Sequence, residues 1–157
     1  MKYIILFTLF LASLLNAEEL KIKANSFKAD ENTGISVFSG SVNIVKHHDE
    51  LNASEVTIYV DKENQPIKFV AIGDVAFTIE TKQNSVYKGK AGKVIYLPNK
   101  KEYHFFKDVH LTQIDEKKEI IGDEVVLKTT EGKAYAKGVE SEPVIMIFNI
   151  PDEENKE

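Results

Sequence analysis

Gly40-Ser41-Val42, Gly73-Asp74-Val75, Lys107-Asp108-Val109 and Lys137-Gly138-Val139 mark a unit that recurs about every thirty residues. Each of the first three valines is read as opening an alternating apolar strand that a second strand answers. In the first unit Val42 and Ile44 alternate with polar neighbours, His47-His48-Asp49-Glu50 turns the chain, and Val56, Ile58 and Val60 alternate with Thr57 and Tyr59. The second unit gives Val75, Phe77 and Ile79, then Val94 and Tyr96; the third gives Val109 and Leu111, then Val125 and Leu127. A period of two with one apolar face is the pattern of a half-buried antiparallel strand. Successive hairpins of this kind predict an all-β chain with one long apolar interior.

The flanks extend the array. Leu20, Ile22 and Ala24 alternate with Lys21, Lys23 and Asn25, the segment through Asp30 reads as a return strand, and Asp30-Glu31-Asn32-Thr33-Gly34 turns the chain into Ile35. Val144 to Ile150 is apolar on both faces and lies between Pro143 and Pro151, which suits a last strand at a sheet edge. No helix is expected after Ala17, because β-branched and aromatic residues fill the apolar positions. An open sheet has two edges, and neither terminal strand carries an obvious block, so either they pair within the domain or they dock with neighbouring molecules by strand addition.

Residues 1–17 read as a secretory signal peptide: Lys2, an apolar run from Tyr3 to Leu15, and a small residue, Ala17, before Glu18. The run falls short of the roughly 20 apolar residues that a membrane span needs. Residues 18–150 then form one domain and 151–157 a charged, disordered tail. With 20 basic against 25 acidic residues the chain is acidic, and cysteine is absent, so neither a disulfide nor a lipid-modified N-terminal cysteine is available. Every basic residue is lysine. Sequence-reading DNA binders lean on bidentate arginine, so nucleic acid is excluded as a partner.

Catalytic chemistry finds little support. His47-His48-Asp49-Glu50 is the one cluster with possible metal ligands, but adjacent strand residues point to opposite faces and a hairpin tip collects polar residues in any case. His104 and His110 are separated by Phe105-Phe106-Lys107-Asp108, which is expected to bend the chain. No nucleophile elbow or zinc motif occurs, so no catalytic residue, metal or cofactor is assigned. Asn52-Ala53-Ser54 is an N-glycosylation acceptor pattern, with Glu50 two residues before the asparagine.

The succession Leu20-Lys21-Ile22-Lys23-Ala24, Phe38-Ser39-Gly40-Ser41-Val42-Asn43-Ile44 and Leu51-Asn52-Ala53-Ser54-Glu55-Val56 resembles the OstA-type domain of the lipopolysaccharide export proteins. The likeness continues through Ala71-Ile72-Gly73 with Phe77, Gly89-Lys90-Ala91 with Tyr96, and Ile121-Gly122-Asp123-Glu124-Val125. The resemblance implies an antiparallel OstA-like β-jellyroll, slightly opened and V-shaped, whose interior shields the acyl chains of lipid A in the periplasm. It further implies head-to-tail self-association through terminal strands, bridging an inner-membrane extraction complex and an outer-membrane translocon. The lipid-facing candidates are then Leu20, Ile22, Val42, Ile44, Val56, Ile58, Phe77, Ile79, Val94, Tyr96, Val109, Leu111, Val125 and Leu127, of which Phe77 and Tyr96 match family positions that face lipid. For lipid A phosphates the chain offers only lysines, with Lys21, Lys23, Lys82, Lys88, Lys90 and Lys93 as candidates; lysine is a point charge without arginine's planar fork. Two alternatives stay open: a related membrane-tethered component if the N-terminal run is not cleaved, and a structural adaptor that binds only proteins and fills its interior with its own side chains.

Overall fold

The computed structural model describes residues 19–150, so the expected signal segment and charged tail lie outside the described residues. Ten strands follow one another: β1 (Leu20–Lys23), β2 (Ser26–Asp30), β3 (Ile35–Lys46), β4 (Asp49–Val60), β5 (Pro66–Glu80), β6 (Val86–Leu97), β7 (Glu102–Gln113), β8 (Lys118–Lys128), β9 (Lys133–Lys137) and β10 (Ile145–Ile147). Every pairing is antiparallel, and the sheet runs β1-β3-β4-β5-β6-β7-β8-β10, with β2 also on β3 and β9 also on β8. The path does not close on itself.

The recurring marker does not open strands. It lies in the middle of β3, β5 and β7, where the register shifts between Ser39 and Val42, between Ile72 and Val75, and between Phe106 and Val109. Both marker residues are left-handed in each strand: Gly40 and Ser41 at φ +81° and +47°, Gly73 and Asp74 at +83° and +45°, Lys107 and Asp108 at +65° and +49°. These are β-bulges, which bend a strand and sharpen its twist. A break in alternation looks the same in sequence whether a strand starts there or bends there. The fourth marker differs, for Lys137 ends β9 and Val139 bridges to Glu142 in the turn that leads to β10.

Each bulge divides a long strand between two layers. The first layer holds the segments beside the β3–β4, β5–β6 and β7–β8 turns, with β1 and β10 on its edges through Ile22↔Ile44 and Met146↔Ile120. The second holds the segments beside the β2–β3, β4–β5, β6–β7 and β8–β9 turns, edged by β2 and β9 through Phe27↔Phe38 and Val126↔Tyr135. The N-terminal return strand is thus one strand kinked at Asn25, whose N–H donates to Gly40 O (2.9 Å) opposite the first bulge. Facing inner surfaces meet where Phe77 of the first layer stacks on Phe105 of the second, with ring centroids 4.4 Å apart. Val56, Val75, Phe105, Val109, Leu111, Val125 and Leu127 are fully buried there. Each such side chain contributes about 1.5–3 kcal/mol by leaving water. The result is an all-β, slightly opened V-shaped jellyroll. Its edges are apolar: in and after β10, Ile145, Met146, Ile147, Phe148 and Ile150 are exposed, as is Phe27 in β2.

Candidate functional site

An apolar cleft of about 520 Å³ lies between the two layers at one end of the V. The first layer lines it with Leu20, Ile44, Leu51 and Ile79; the second adds Pro66, Phe69, Tyr96, Pro98 and Tyr103. Phe69, Tyr96 and Tyr103 are side by side on β5, β6 and β7 because Phe69 pairs with Tyr96 and Tyr96 with Tyr103. Their rings run together across the floor, Phe69 to Tyr96 at 5.9 Å and Tyr96 to Tyr103 at 4.4 Å. The volume lies within the range of about 300–1,000 Å³ usual for small-molecule sites.

Polar groups complete the lining: Lys46, Asp49, Glu50, Asp61, Gln65 and Asn99. Asp61 holds its turn, accepting from the N–H groups of Glu63 (2.9 Å) and Gln65 (2.8 Å). Asp49 reaches inward. It accepts from Glu80 N–H at 2.8 Å and from the Tyr103 hydroxyl at 3.2 Å, and so connects the layers. Burial pushes the Asp49 carboxyl above its ordinary range despite these two donors and nearby Lys46. Burial, with Asp49 beside it, also pushes the Tyr103 hydroxyl well above the usual phenol range.

The fourteen candidate lipid-facing residues separate by position. Leu20, Ile44, Ile79 and Tyr96 line the cleft. Val42, Val56, Ile58, Phe77, Val94, Val109, Leu111, Val125 and Leu127 are buried in the core behind it, and Ile22 is half-buried against that core. Leu51, Phe69 and Tyr103 also line the cleft but are not among the fourteen, because each lies across a bulge from the alternating apolar run of its strand. Phe69 and Tyr103 are visible in the sequence as aromatic residues in the segments before and after that of Tyr96, and the register makes them a row.

Of the six lysines considered, none lines the cleft; Lys46 does. Lys88 and Lys90 border a separate hollow on the first layer's face with His110 and Thr112, and Lys93 lies over the Phe106 ring. The histidine cluster at the β3–β4 tip disperses: His48 Nδ1 meets Glu80 Oε2 at 2.5 Å, Asp49 turns to Tyr103, and Glu50 accepts from Asn43 at 2.8 Å. The Lys107-Asp108 bulge separates His104, which pairs with Glu102, from His110, which pairs with Glu119. Among the described residues no group of three His, Asp or Glu is placed to hold a metal ion. Asn52 lies within β4 with its amide oxygen accepting from Asn43 (2.9 Å), and Ser54 donates to Gly73 O (3.2 Å).

Residues 21–133 match the family model for the LptA/LptD N-terminal domain lipopolysaccharide transport proteins. Among solved structures, the crystal structure of LptH, the LptA-homologous periplasmic component of the lipopolysaccharide transport device of Pseudomonas aeruginosa, superposes with a TM-score of 0.74. The two are 16% identical, over 85% of this chain and 96% of that one, so the likeness is one of fold. A search of curated proteins finds no match to the sequence. The matched span runs from β1 to the start of β9 and so takes in β2 to β8 and every cleft residue but Leu20, and the chain accordingly belongs to the LptA/LptD N-terminal domain family of lipopolysaccharide transport proteins as an LptA-like member, and not to a family of enzymes.

Proposed function

We propose that this chain is a periplasmic carrier that takes acyl chains of lipid A into the cleft between its layers and passes lipopolysaccharide along a bridge of linked molecules toward the outer membrane. The observation that carries this reading is an apolar cleft, floored by Phe69, Tyr96 and Tyr103, at the mouth of a lipopolysaccharide-transport fold. Hydrocarbon needs no directional partner there, and each methylene withdrawn from water contributes about 0.8 kcal/mol. Many weak contacts suit cargo that must move on. The bridge rests on the free edges, where β2 and β9 each have one neighbour among the described strands and β10 presents exposed apolar side chains. Strand addition at such edges joins copies head to tail and gives contact with an inner-membrane extraction complex and an outer-membrane translocon.

A photoreactive residue at Tyr96 or Phe69 tests the reading in cells that make lipopolysaccharide. Crosslinks to lipopolysaccharide from these positions, and not from outward-facing Thr57, are expected; no adduct from either would remove the carrier reading. The adaptor reading draws on the packed middle of the interior, where Phe105 and Leu127 leave no exposed surface. It predicts no glycolipid after gentle purification. The membrane-tethered reading concerns residues outside those described, and N-terminal sequencing of the exported protein decides it, since a start at Glu18 leaves no tether.

A further inference from the structure

A hydrogen bond between the layers crosses the cleft wall at Tyr103. Two residues further along β7, outside the cleft lining, Phe105 is fully buried and stacked on Phe77. Across the gap, the β3–β4 hairpin tip brings Asp49 to the Tyr103 hydroxyl, and the same carboxylate is held from behind by the Glu80 N–H. The tyrosine ring is therefore fixed by a side chain of the opposite layer as well as by its stack on Tyr96. Such a hydrogen bond is out of place in an apolar passage unless both partners are satisfied, because each would otherwise be desolvated without a partner.

From this geometry we infer that the Asp49–Tyr103 contact is a latch that sets how deep an acyl chain enters, with Tyr103 as the stop and Asp49 as the residue positioning it. With the latch made, a chain is shielded only as far as the aromatic floor. Released, the ring can turn aside and the passage continues toward Phe77 and Phe105. The inference rests on the reading of the cleft as an acyl-chain site, and it makes these two residues the determinants of chain-length preference.

The test uses the mature full-length protein with octanoyl and palmitoyl fatty-acid probes, alongside amide hydrogen exchange at Phe77 and Phe105. In the wild type the two probes bind with similar affinity, since methylenes beyond the stop stay in water. Tyr103→Phe keeps the ring and removes its hydroxyl, and Asp49→Ala removes the acceptor; both should favour palmitoyl over octanoyl by about fourfold for each further methylene admitted. Exchange at Phe77 and Phe105 should rise in both variants. Asp49→Asn, whose amide can still bond the Tyr103 oxygen, should restore the wild-type probe ratio and slow exchange. Equal effects on both probes, or unchanged exchange in Tyr103→Phe, would overturn the latch. If neither probe binds the wild type while exchange follows the expected order, the latch stands and the acyl-chain reading falls.

Discussion

Gly73→Ala tests the bend that creates the two layers. Gly73 is at φ +83°, and an added Cβ would sit 2.5 Å from Ser54 Oγ and 2.6 Å from Ser54 Cβ. Left-handed backbone costs an L-residue about 1–2 kcal/mol. Crowding against Ser54 on the neighbouring strand adds about 1–3 kcal/mol as overpacking. Alanine also stiffens the unfolded chain, which returns about 0.4–1 kcal/mol. The net expected loss is about 3 kcal/mol, or a fall of about 1.5 M in the urea midpoint at a slope of about 2 kcal/mol/M. Ser54→Gly removes both crowded atoms, so in that background Gly73→Ala should cost only its backbone share, leaving a coupling of about 2 kcal/mol between the positions. Additive single effects, or a midpoint for Gly73→Ala within error of wild type, would refute the bulge as the origin of the fold.

Other outcomes follow from the core, the latch and the edge. Phe105→Ala, at a fully buried ring, should lose about 3–5 kcal/mol in urea denaturation. Phe69→Ala at the cleft floor should lose less stability than that yet weaken crosslinking of lipopolysaccharide from Tyr96. Because burial raises the folded pKa of Asp49, its stabilisation is fully present below the ordinary value of 3.8 and fades as pH rises through the raised value. Urea midpoints of wild type and Asp49→Asn measured across pH should therefore diverge in that window, the wild type losing ground as pH rises; parallel curves would contradict the assignment. Deleting residues 144–150 should abolish end-to-end assembly in light scattering while leaving the circular dichroism of a folded monomer, since β10 adds only three paired residues to the sheet; rods from that variant would place the junction elsewhere.

The hairpin succession was legible because strand patterning is local. Val42 with Ile44, Phe77 with Ile79 and Leu111 with Val109 each show a face without reference to any other part of the chain. The opposite half of each strand was harder to read. Leu51 and Val56 both point inward, yet they differ by an odd number of positions because the bulge between Asn52 and Glu55 resets the alternation. Val144 to Ile150 reads as one apolar strand, whereas only Ile145–Ile147 pairs, since β8 offers partners from Glu119 to Ile121 alone.

By itself the sequence determined an all-β chain of paired strands with one apolar face, and the family those strands belong to. Tertiary structure decided which of the apolar residues pack as core and which border open space. Phe77 and Tyr96 look alike in pattern, but one stacks on Phe105 in the closed interior and the other faces the cleft. The separation of two layers depends on how six strands bend together, and no single stretch of residues encodes that distance.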